Sequence, residues 1–104
     1  MAWYMFVSYF FAGVFLANGV PHFVHGISGK KFQSPFASPP AVGESSPLVN
    51  VLWGLFNLVL GIELILGVGD FVPHLRVAVL MAGLGAIATS IGLAWYFGRV
   101  RQAK

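Results

Sequence analysis

Polar positions are sparse along this chain and fall into clusters, and the stretches between the clusters are apolar for about twenty residues at a time. From Ala2 to Val20 only Ser8 and Asn18 interrupt a run of apolar, aromatic and small residues. A second run, Leu48 to Gly69, holds a single carboxylate, Glu63, and a third extends from Leu75 to Phe97. At ~1.5 Å per helical residue the second run spans about 33 Å, slightly more than the ~30 Å hydrocarbon layer of a bilayer. The pattern predicts an all-α integral membrane protein with three transmembrane helices, over about 2–20, 48–69 and 75–97, forming one domain.

The connections are read from their breakers. Asn18-Gly19-Val20-Pro21 ends or kinks the first helix, because Pro21 has no N–H for the carbonyl of Ala17 and disfavours helical geometry at Val20. His22 to Ile27 is then expected to lie at the interface as one or two amphipathic turns, with Lys30 and Lys31 reaching the headgroups. From Phe32 to Pro47 the chain has four prolines, interspersed serines and no periodicity. It reads as a Pro/Ser-rich surface loop from which Phe32 and Phe36 dip into the membrane surface. Asp70 to Arg76 makes a tight turn, with Pro73 placed for the first turn of the next helix. Gly98 to Lys104 is a basic tail.

Composition narrows the function. The chain has 104 residues, 58% of them hydrophobic and only 9% charged, where a soluble domain carries about 25%. Cysteine is absent, which excludes disulfides, thiolate metal sites and cysteine nucleophiles. The net charge of +3 comes from six basic residues against three acids, and the placement of the basic residues reads as membrane topology, not nucleic-acid binding. Lys30, Lys31, Arg99, Arg101 and Lys104 share one side of the membrane, and only Arg76 falls on the other. That asymmetry predicts the N-terminus outside and the C-terminus in the cytoplasm. No phosphate-binding glycine loop, nucleophile set or paired-carboxylate site is present, so no cofactor and no catalysis of its own are expected.

Small residues at helical spacing mark faces for close packing: Ala78, Ala82 and Ala86; Ala82, Gly85, Thr89 and Gly92; and Asn50, Gly54, Asn57 and Gly61. They suit packing within the chain and self-association alike, and a homo-oligomer or a larger membrane-protein partner is expected, with lipid around it.

Two groups of polar residues could carry chemistry. Glu63, about 10 Å from the outer end of its span, is a proton, cation or substrate site, a hydrogen-bonding group between helices, or a side chain exposed to lipid. Asn57 and Trp53, one turn apart on the same helix, suit the lining of a path for a small polar cargo or the joining of helices. At the inner side lie Asn18, His22, His25 and Asn50. His22 and His25 are three residues apart and share a helix face, which offers two ligands to a metal or haem and requires a third from elsewhere. Headgroup contact, or plain hydrogen bonding that ends the helix, is the other reading of this pair.

In Asn18-Gly19-Val20-Pro21-His22-Phe23-Val24-His25-Gly26, Phe32-Gln33-Ser34-Pro35-Phe36-Ala37 and Val49-Asn50-Val51-Leu52-Trp53-Gly54, the chain resembles a group of small bacterial membrane proteins of unassigned function. The resemblance implies the bacterial inner membrane. In size and number of spans it is also similar to the half-sized sugar transporters, whose first helix carries Pro-Gln where Pro21 is here followed by His22. Two functions follow as expectations: a minimal transporter or channel using Glu63, Asn57 and Trp53, or a non-catalytic accessory or scaffold subunit of a larger membrane complex.

Overall fold

The computed structural model describes residues 2–70 and 72–102. Phe71 of the expected tight turn and Lys104 of the basic tail therefore lie outside the described residues. Three long helices make up most of the chain: α1, Trp3–Ile27; α2, Pro47–Leu66; and α3, Leu75–Gln102. Each is long and apolar enough to cross a membrane.

The first helix does not end at Pro21. It continues for six residues to Ile27, because the turns beyond the proline are held from outside. Gly26 lies against the backbone of α2 at Pro47 and Val51, His22 bonds Asn50, and His25 Nδ1 donates to the Pro21 carbonyl at 2.7 Å. The stop comes at Gly29, whose φ of +72° is a conformation suited to glycine. Its N–H bonds the Gly26 carbonyl, and that of Lys30 bonds His25, closing a Schellman motif. The expected interfacial turns at His22 to Ile27 are thus part of α1.

The proline-rich segment is fixed against the helices. Phe32–Gln33 (β1) pairs antiparallel with Glu44–Ser45 (β2), with Phe32 opposite Ser45 and Gln33 opposite Glu44. The Ser34 and Ser45 hydroxyls bond at 2.6 Å beside this pair, and the Ala41 N–H returns to the Ser34 carbonyl. Phe32 does not reach outward. It is 4% exposed, stacked on His25 at 4.2 Å and set edge-on to Phe97 at 4.8 Å, whereas Phe36 is exposed.

Ser46 caps α2 by accepting the Val49 N–H, and Pro47 takes the first helical position. The helix ends at Leu66, three residues earlier than the apolar run suggests, with Gly67 as its C-cap. A 3₁₀ turn at Val72–His74 leads into α3, which extends through Arg99 and Arg101 to Gln102, so this part of the expected basic tail is helical.

The first helix is the common partner: α2 runs antiparallel along one side and α3 parallel along another, while α2 and α3 share no comparable contact. Small residues set both approaches. Gly54 faces the backbone of Phe23, Gly19 the Gly54 carbonyl, Gly13 the Ala82 carbonyl and Gly85 the Phe10 carbonyl, all closer than a Cβ would allow. The Asn50, Gly54, Asn57, Gly61 seam is therefore spent inside the chain, as is most of the alanine seam on α3. Bulky side chains such as Leu52, Phe56, Val59, Leu84, Ile87 and Ile91 face outward. Around a protein in water they would form an apolar surface far larger than monomers carry, whereas the arrangement is compatible with a membrane.

Candidate functional site

A cavity of about 240 Å³ lies at the hairpin end of the helices. Asn18 and His22 of α1, Trp53 of α2, and Leu93, Tyr96 and Phe97 of α3 form its walls, and Gln33, Ser34, Pro35 and Ala41 of the hairpin segment cover it. The separation of α2 from α3 leaves the space, and β1 places Gln33 across its end. Tyr96 secures the cover by donating its hydroxyl to the Ala41 carbonyl at 3.1 Å.

Behind the walls stands a layer of satisfied amides. Asn18 donates to Asn57 Oδ1 at 3.0 Å, and Asn57 Nδ2 donates to the Trp53 carbonyl at 2.8 Å. Asn50, fully buried, directs its Nδ2 at the carbonyls of Phe32, Ser45 and Ser46, at 3.1 to 3.2 Å, and meets His22 Nδ1 at 2.8 Å with its oxygen. These bonds join α1, α2 and the hairpin, and they hold the His22 ring edge-on to Phe32, Trp53 and Phe97.

Two residues that line the cavity each keep one buried polar atom without a partner. Gln33, 1% exposed, has its Oε1 buried and unbonded, and the Trp53 indole N–H is buried and unbonded as well. A buried acceptor or donor left unpaired costs about 1–3 kcal/mol, so two beside one cavity are conspicuous. The Tyr9 hydroxyl is also buried without a partner, but it lies toward the opposite end, in the apolar cluster with Met5 and Ala78. Among the described residues no Asp, Glu, Lys or Arg lines the cavity.

The residues singled out in the sequence separate accordingly. Asn18, His22 and Trp53 line the cavity, and Asn50 and Asn57 support it. His25 turns away, with its Nδ1 on the Pro21 carbonyl and its ring on Phe32. His22 and His25 do not converge with a third ligand, and among the described residues no group of three His, Asp or Glu side chains could hold a metal. Glu63 is elsewhere. It is exposed in the last turn of α2, three residues or about 5 Å from the helix end rather than the expected ~10 Å, and ten residues or about 15 Å along the axis from Trp53. Asn57 points inward and Glu63 outward, so the two do not line one path within the chain.

Gln33, Ser34, Tyr96 and Phe97 have no counterpart among the residues expected from the sequence. Gln33 stood in a segment read as surface loop, and Tyr96 and Phe97 read as aromatic anchors. The available signal was Gly29, which places the helix end late enough to carry His22 into the body of the protein.

Long apolar helices around a small-residue interior, with a half-open cavity at one end, define a small helical protein of three potential membrane spans. Comparison with protein-family models, curated proteins and solved structures gives no match.

Proposed function

We propose that this chain is a small polytopic protein of the bacterial inner membrane that binds a small solute in the cavity beneath its hairpin, as the binding element of a minimal transporter. The observation that carries the reading is a cavity lined from all three helices and the hairpin by Asn18, His22, Gln33, Ser34, Trp53 and Tyr96, of which Gln33 and Trp53 each keep one buried polar atom without a partner. Lys30, Lys31, Arg99 and Arg101 lie at the same end as the cavity, which by the asymmetry of positive charge faces the cytoplasm.

Passage of a solute across the membrane requires more than this chain, because α1 fills the centre and leaves no path between α2 and α3. A second copy or a larger membrane protein would complete it. The small-residue seam of α2 and the Ala78 to Gly85 part of that on α3 are used within the chain, so such an assembly would rest on the bulky outer faces and on the open stretch of α3 around Gly92. The alternative, an accessory or scaffold subunit, is favoured by the outward placement of Glu63 among the exposed apolar side chains Val59, Ile62 and Leu66.

The test is solute retention by the protein in lipid nanodiscs, followed by uptake in proteoliposomes. Binding that is lost in both Trp53→Phe and Gln33→Met, and kept in Glu63→Gln, supports the cavity. Equal behaviour of the wild type and the two cavity variants overturns it in favour of the subunit role.

A further inference from the structure

Beside the hairpin cavity a second opening runs between the helices. A groove of about 370 Å³ lies between Ala17, Val20 and Pro21 of α1 and Ser90, Leu93, Ala94 and Phe97 of α3. Ser90 is the one polar side chain among these lining residues. Val20, Ser90 and Ala94 are exposed, so the groove is open along its outer side, and it shares Leu93 and Phe97 with the hairpin cavity. The space has a cause in the packing. The two helices meet at Gly13 and Gly85, and a turn or two further on the small side chains of Ala17, Ser90 and Ala94 do not fill the gap between them.

One end of the groove is marked by charge. Ser90, Ala94, Phe97 and Arg101 follow at steps of four, three and four, and so share one face of α3. Arg101 is exposed one turn beyond Phe97, with its guanidinium over the Phe32 ring at 4.9 Å, and that ring is set edge-on to Phe97 at 4.8 Å. An aromatic face holds a cation without neutralising it. Lys30 and Lys31, both exposed, immediately precede Phe32 in the chain. Arg99, two positions before Arg101 and on another face of α3, lies over the Trp95 ring at 5.0 Å. Among the described residues Glu44, opposite Gln33 in the hairpin, is the one carboxylate at this end.

Three cations against one carboxylate, at the end of an apolar groove on the side of long apolar helices, match an amphiphile with an anionic head. A soluble anion would use the charges and leave the groove empty, and a neutral lipid would gain nothing from the charges. Arginine N–H groups fork onto phosphate oxygens, and basic pockets between spanning helices suit lipid headgroups. From Ser90 to Phe97 the groove runs about 10 Å along α3, the first part of an acyl chain, and Arg101 stands about 6 Å beyond it. We propose that this corner binds one anionic phospholipid, its phosphate at Arg101, Lys30 and Lys31 and one acyl chain in the groove between Ala17 and Ala94. The site presupposes that the chain spans a bilayer, and it is independent of whether the hairpin cavity takes a solute.

The experiment is native mass spectrometry of the full chain from detergent, titrated with phosphatidylglycerol, with phosphatidylcholine of the same acyl chains, and with inorganic phosphate. Phosphatidylglycerol is expected to bind one per chain, at least about tenfold more tightly than phosphatidylcholine, and phosphate not to displace it. Arg101→Gln should weaken it about fivefold, the equivalent of about 1 kcal/mol for one basic residue at an anionic headgroup, while Arg99→Gln changes it by less than about twofold. Ala94→Phe, which fills the groove and removes no charge, should weaken it by a factor similar to Arg101→Gln. Circular dichroism matching the wild type shows that the variants are folded, and Ser90→Leu replaces Ala94→Phe if that variant is not. Equal binding of the two lipids, or equal effects of Arg101→Gln and Arg99→Gln with Ala94→Phe silent, overturns the site in favour of diffuse attraction. Displacement by phosphate with Ala94→Phe silent overturns it in favour of a free anion, and a lipid-free dimer that Ala94→Phe dissolves overturns it in favour of a second copy. Failure of the wild type to enter phosphatidylcholine nanodiscs would overturn the bilayer reading itself, whereas entry without a preference for phosphatidylglycerol overturns the lipid site alone.

Discussion

His22 on α1 and Asn50 on α2 meet side chain to side chain at 2.8 Å, and through this contact the hairpin, the two helices and the cavity wall are tied to a single amide. The other half of Asn50 bonds the backbone at Phe32, Ser45 and Ser46. Replacing it with alanine removes all of these bonds and leaves buried carbonyls and an imidazole unpaired. Asn50→Ala is expected to destabilise the protein by about 2–3 kcal/mol, read from reversible denaturation in detergent.

The Tyr96 hydroxyl is the link between α3 and the hairpin segment at Ala41. Tyr96→Phe keeps the ring against Phe97 and deletes only that bond. Global stability should fall by about 1 kcal/mol or less, while hydrogen exchange at the backbone amides of Ala41 and Gly43 accelerates relative to the helices.

Two glycines in similar sequence surroundings should respond oppositely. Gly13 faces the Ala82 carbonyl with no space for a side chain, and Gly92 has nothing near the position of a Cβ. Gly13→Val is expected to force α1 and α3 apart, at a cost of about 3 kcal/mol. Gly92→Ala should be neutral or stabilising by up to about 1 kcal/mol, since glycine weakens a helix interior. Thermal unfolding of the two variants side by side measures the contrast.

Glu63 is exposed and lies far along α2 from the cavity. Glu63→Gln should change the stability of the isolated chain by less than about 0.5 kcal/mol and leave solute binding unaltered. A change in the mass of the assembly, measured by native mass spectrometry, is expected only if the outer face of α2 meets a second chain.

The Asn18–Asn57 bond joins α1 to α2 behind the cavity. Asn57→Leu leaves the Asn18 amide without its acceptor. A loss of about 1 kcal/mol is expected, the scale of hydrogen bonds between helices in apolar surroundings, and denaturant titration reads it.

The existence of three helices was legible in the sequence because apolar run length is a local property, and the loss of backbone hydrogen bonding in an apolar setting leaves a helix as the ready solution. Their ends were less legible. Pro21 looks like a terminator when only α1 is considered, yet the contacts of His22 and Gly26 with α2 carry the helix past it, and Gly29 stops it. Asn50, Gly54, Asn57 and Gly61 were recognisable as one face, since a spacing of three and four residues is set by the helix itself. That this face turns toward α1 and not toward another chain was decided by the fit of Gly54 against Phe23 and of Gly19 against Gly54, which no single helix encodes.

By itself, then, the sequence determined the helical class, the number of apolar helices, the grouping of positive charge and the single face that Asn50 and Asn57 share with Gly54 and Gly61. Only the tertiary structure decided that Phe32 turns inward, that Gln33 closes a cavity with Trp53, and that Glu63 stands apart from both. The reason is the range of the interactions. Helix formation and apolar patterning act over a few residues, whereas a cavity is made where α1, α2, α3 and the hairpin fail to fill the space between them, and that remainder depends on all four at once.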